Sequence, residues 1–157
     1  MDIIVKFLIS GLLGVFLWRL AIIDLRTFRL PDIYTLTLIL VGVLINAFIA
    51  SGVPHNAVWG AVIGYSIFWG LGSWFFTRTG REGLGLGDAK LLAAAGAWVG
   101  ITYLPAVLFL AAGSALIVAL AKGTKAKEMI SFGPWLATAF WIVWVAKLIE
   151  LPHLMSL

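Results

Sequence analysis

Few side chains in this sequence are equipped for chemistry. Cysteine is absent and the two histidines, His55 and His153, stand far apart in the chain. No thiol nucleophile, thiolate site or metal centre is therefore expected, and no cofactor. What remains is a set of seven carboxylates: Asp2, Asp24, Asp32, Glu82, Asp88, Glu128 and Glu150. Of those that border apolar runs, two stand out. Asp24 directly follows Ala21, Ile22 and Ile23, and Asp88 directly precedes a run that opens at Ala89. Desolvation favours the protonated form of a carboxyl group, and a second carboxylate nearby favours it further in one member of the pair. Two such groups can share a proton. Hydrolysis by activated water needs that division of labour, with an ionised acid as base and a protonated acid as donor. The plainer alternatives are an interfacial Asp24 balanced by Arg26 and an Asp88 that caps a helix.

The run GLGLGDAKLL places Gly83, Gly85 and Gly87 alternately ahead of Asp88. Glycines there permit φ > 0 and let another backbone come close, as an extended peptide substrate must. A flexible loop is the other reading. A phosphate-binding loop is disfavoured, because no strand precedes the glycines and no Lys-Ser/Thr pair follows. Glu82 and Lys90 flank the run as residues that could orient the loop or a substrate, against a solvated acid and a snorkelling lysine.

The elements that must position these acids are apolar. Hydrophobic residues make up 62% of the 157 and charged residues only 11%. That composition belongs to a bilayer protein, at roughly 20 apolar residues per helical crossing. Six stretches are predicted to be helical: Ile3 to Ile23, Ile33 to Ala50, Ala57 to Phe76, Ala89 to Ile101, Leu104 to Ala121, and Trp135 to Ile149. The expected fold is an all-α, polytopic membrane helix bundle of about six crossings, forming a single domain over residues 1–157. The first run is read as a retained helix and not a signal peptide, since no small-residue cleavage site follows it.

Arg26 and Arg29, then Arg78 and Arg81, then Lys122, Lys125 and Lys127 fall in the first, third and fifth connections. The second and fourth carry none, so the odd connections are expected in the cytoplasm and both termini outside. Topology accounts for the net charge of +4, and no nucleic-acid partner is expected. Gly60 with Gly64, Gly96 with Gly100, and Ala111 with Ala115 are spaced for close helix contact. Asp32 reads as a helix-start acid, and Gly133-Pro134 marks the beginning of the last helix. Arg19 lies about 140° around the helix from Asp24, which argues against direct pairing.

GLGLGDAKLL, taken with IDLRTFRLPD from Ile23 to Asp32, closely resembles the type IV prepilin peptidases, membrane aspartyl proteases of the GxGD class. TGREG, LLAAAGAWVG and ISFGPWLA resemble the same family in the same order, so the likeness covers nearly the whole chain. It implies that Asp24 and Asp88 are catalytic aspartates at the cytoplasmic edge of the bilayer, in a bacterial inner membrane. Gly85, Gly87, Glu82 and Lys90 would then bind substrate or position the loop. The implied partners are prepilins or pseudopilins of pilus or secretion systems, whose short basic leader ends in glycine ahead of a hydrophobic helix. Larger members carry a cytoplasmic domain with paired CxxC motifs and N-methylate the product with S-adenosylmethionine. A cysteine-free sequence points to a short, peptidase-only form and makes methyltransferase activity doubtful. The alternative function is a non-catalytic membrane scaffold or small transporter. A transporter is expected to hold ionisable groups near the bilayer midplane, whereas these acids fall at the ends of apolar runs.

Overall fold

The computed structural model describes residues 3–50, 52–80, 85–121 and 131–154. It is an all-α membrane bundle: α1 (Ile3–Thr27), α2 (Asp32–Ala50), α3 (His55–Thr79), α4 (Leu86–Val99), α5 (Leu104–Ala121) and α6 (Gly133–Leu154). A 3₁₀ turn, Ile101–Tyr103, joins α4 to α5. Each expected stretch is a helix, but two ends differ in a way that matters. The first helix continues past Ile23 to Thr27, so Asp24 lies within its last turns. The fourth begins at Leu86, before the apolar run, and takes Asp88 into its first turn.

Ile4–Thr27, Asp32–Ile49 and Ile101–Ala121 are long and apolar enough to cross a membrane, and Gly133–Ile149 forms a shorter apolar helix. Large apolar side chains such as Phe7, Phe48 and Phe109 are exposed on the outside of the bundle. In water that surface would drive aggregation; in lipid it is the ordinary exterior.

The core is built around α4. From Leu91 to Val99 every residue of this helix is buried. At 14 residues it is about 21 Å long, short of the roughly 30 Å hydrocarbon core. It tolerates this because its neighbours, not lipid, satisfy its far end. Asn46 Nδ2 donates to the carbonyls of Ala97 at 2.9 Å and Trp98 at 3.2 Å, and Lys147 Nζ donates to the Trp98 carbonyl at 3.0 Å. These are C-terminal carbonyls with no partner inside the helix. Gly100 then ends α4 at φ 85°, a conformation that favours glycine, so its role is helix termination.

Small residues set how close the helices come. A Cβ on Gly60 would collide with the Gly96 carbonyl, and one on Gly64 would stand 2.7 Å from the Leu92 carbonyl oxygen. Thus α3 and α4 pack backbone to backbone, running antiparallel. Trp98 fills the space over Gly42 and donates from Nε1 to the Leu38 carbonyl at 2.8 Å, fixing α2 parallel to α4. On the other flank, Trp141 Nε1 donates to the Ser10 carbonyl and Trp144 Nε1 to its hydroxyl, joining α6 antiparallel to α1. These directions bring the end of α1 and the starts of α2, α4 and α6 to one side of the bundle, together with the end of α3.

Candidate active site

Asp24 is only 5% exposed although it carries a carboxylate. Its burial is compensated locally. Oδ2 accepts hydrogen bonds from the Ser131 hydroxyl at 2.5 Å and from the Gly133 amide at 3.0 Å. The amide is available because Gly133 is the first residue of α6, where backbone donors have no partner within the helix. Glycine is required there on steric grounds. A Cβ at 133 would lie 2.5 Å from Oδ2 and 2.9 Å from Cγ of Asp24. Pro134 follows in the first turn, where its missing N–H costs nothing.

The chain reverses immediately after Asp24. Phe28 adopts φ 51°, unusual for an aromatic residue, and its amide donates to the Asp24 carbonyl at 2.9 Å, closing α1 with a left-handed turn. The turn brings Leu30, which is buried, onto the glycine run. A Cβ on Gly87 would stand 2.9 Å from Leu30 Cβ and 3.3 Å from its amide nitrogen. Contact between these two segments is what carries Asp88 toward Asp24.

Asp88 is the third residue of α4, behind Gly85 at the N-cap position, and no side chain caps this helix. The capping alternative is therefore not what the fold uses. Asp88 lies outside the buried apolar run of α4, and its carboxyl is pushed up to about 7, first by burial and then by the charge of Asp24. The second cause means that the two acids lie within electrostatic reach of each other.

Both aspartates line one cavity of about 590 Å³. Its wall continues through Phe28 to Leu30, Gly85 to Gly87, and a face of α3 that includes Phe68, Gly72 and Phe76. Phe68 is buried and meets the Phe132 ring at 5.8 Å between centroids. On the α3 stripe facing α4, the glycines at 60 and 64 permit close contact, and one turn further on Phe68 lines the cavity. The cavity opens at that point, next to the acids. An acid pair lining a half-apolar cleft, with a proton retained near neutral pH, is a constellation suited to water activation.

The remaining sequence-derived site residues are placed unequally. Gly85 and Gly87 line the cavity. Neither has positive φ, which among the described glycines is confined to Gly80 and Gly100, so close approach and not a left-handed backbone is what position 87 exploits. Lys90 is paired, its Nζ lying 2.6 Å from Asp32 Oδ1. Asp32 stands in the first turn of α2, as expected, and its carboxylate also engages α4 through this pair. Glu82 lies outside the described residues, as do Asp2 and Glu128. Sequence reasoning did not single out Ser131, Phe28 or Phe68. The run ISFGPWLA contained the only signal for Ser131, in the glycine-proline helix start that follows it.

A family model described as the type IV leader peptidase family matches residues 11–120. The chain belongs to that family. It is 44% identical over 128 residues to the prepilin leader peptidase/N-methyltransferase of Escherichia coli (strain K12), covering 78% of this chain and 56% of the relative. The proteins of the same description from Neisseria gonorrhoeae and Dichelobacter nodosus are 39% and 41% identical, over 87% and 86% of this chain and 48% of each relative. The chain thus spans about half the length of the curated relatives it matches. No solved structure is a significant match.

Proposed function

We propose that this chain is an aspartyl endopeptidase of the bacterial inner membrane that removes the short basic leader from a prepilin or pseudopilin, with Asp24 and Asp88 as its catalytic pair. The observation that carries this reading is the common cavity lined by both acids, at the end of the bundle where the first and third connections bring Arg26, Arg29 and Arg78. By the positive-inside tendency that end faces the cytoplasm, with both termini outside. A substrate with a basic leader in the cytoplasm and a hydrophobic helix in lipid has its scissile bond at that depth. One ionised aspartate removes a proton from water while its protonated partner polarises the carbonyl, and the titration belongs to the pair. Gly85 leaves room for the substrate backbone along the cavity wall, whereas the space beside Gly87 is taken by Leu30.

The reading is tested by reconstituting the purified chain in vesicles with a prepilin and determining the N-terminus of the product by mass spectrometry. Cleavage directly after the leader glycine is expected. A prepilin that stays intact in the presence of folded chain would contradict the assignment and return the scaffold or transporter alternative.

A further inference from the structure

The two oxygens of Asp24 are not equivalent. Oδ2 receives two donors, the Ser131 hydroxyl and the Gly133 amide, from the segment that opens α6. Neither donor residue lines the cavity, whereas Asp24 does. A carboxylate oxygen has two lone pairs directed in its plane, and both are occupied here. A proton arriving on Asp24 then has to go to the other oxygen. The segment reaches Asp24 from 107 residues away, and the carboxyl occupies the space that a side chain at 133 would need.

We infer that Ser131 is a positioning residue for the proposed peptidase, anchoring Asp24 through Oδ2 so that Oδ1 is the atom that takes the proton from the attacking water. This rests on the reading of Asp24 and Asp88 as the catalytic pair. The water O–H bond breaks as the Oδ1–H bond forms, and the water oxygen bonds to the scissile carbonyl carbon. Asp88 gives its proton to the carbonyl oxygen. When the C–N bond breaks, the amine takes the proton from Oδ1, and the gem-diol hydroxyl returns a proton to Asp88 as the new carboxyl group forms. Both aspartates end as they began. Ser131 touches neither water nor substrate. Its hydroxyl fixes which oxygen does the work, and a hydrogen bond to a charged group at such a place is worth a factor of roughly 10 to 100 in rate.

The test compares Ser131→Thr with Ser131→Val, which have nearly the same shape and differ in the hydroxyl, and adds the smaller Ser131→Ala. Cleavage of a prepilin is measured with each variant reconstituted in vesicles. Ser131→Thr is expected to keep kcat within about threefold of the parent, while Ser131→Val and Ser131→Ala lose about 10- to 100-fold in kcat with KM within about twofold. Equal kcat for the Thr and Val variants, or an effect of Ser131→Ala confined to KM, would overturn the inference. Asp24→Asn measured alongside separates the two levels. If Asp24→Asn is inactive while Ser131→Ala turns over normally, only the role of Ser131 fails. If Asp24→Asn remains active, the catalytic pair itself is wrong.

Discussion

Leu30 occupies the space in front of Gly87, so that a Cβ at 87 would come within 2.9 Å of Leu30 Cβ and 3.3 Å of its backbone nitrogen. The segment leaving Asp24 and the segment entering Asp88 therefore touch through a glycine. Gly87→Ala is expected to push these segments apart. Misplacement of a reacting group by about 1 Å costs on the order of 100-fold in rate, and a loss of that order in kcat is predicted, with the helical circular-dichroism signal retained. Parent-like turnover would mean that the contact does not set the spacing of the acids.

The retained proton predicts a pH dependence. Asp88 is held at about 7 rather than near 3.8, by burial and by Asp24, so it is mainly protonated below that pH and ionised above it. If its proton is needed to polarise the carbonyl, kcat/KM must fall as pH rises through about 7, approaching tenfold per unit on the alkaline side. A kcat/KM that stays level from about pH 6 to 9 would argue against Asp88 as the acid.

The contact between α3 and α4 makes a stability prediction. Gly60 and Gly96 face each other with no room for a side chain on either. Gly96→Ala should destabilise the bundle by about 1–3 kcal/mol, as overpacking does, and lower its melting temperature in detergent. An unchanged melting temperature would show that the two helices separate easily.

Lys90 and Asp32 are joined at 2.6 Å, but their side chains are 23% and 63% exposed. Pairs of this kind contribute about 0–1 kcal/mol. Asp32→Asn is therefore expected to leave thermal stability nearly unchanged and to reduce turnover by no more than a few fold. A loss as severe as that of Asp24→Asn would give Lys90 or Asp32 a part in the chemistry.

The helices were legible because their apolar runs are long, and the two aspartates because each borders such a run, with the glycines ahead of Asp88 and the family resemblance setting this pair apart. Helix ends were less legible. Hydropathy falls at Ile23, yet the chain stays helical until Phe28 turns left-handed, and α4 starts ahead of Ala89 although Gly85, Leu86 and Gly87 carry no helical periodicity. Partners distant in the chain left no local mark: Ser131 meets Asp24 across 107 residues and Lys90 meets Asp32 across 58. The cavity was equally hidden, since its lining combines the end of α1, the turn after it, α3 and the start of α4, which are brought together only when the helices pack.

The most direct measurement is prepilin cleavage by Asp24→Asn and by Asp88→Asn, each reconstituted in vesicles and checked for folding. Either substitution removes a carboxylate while keeping its shape, and each is predicted to abolish turnover without preventing the bundle from forming. Normal turnover by either folded variant would contradict the account.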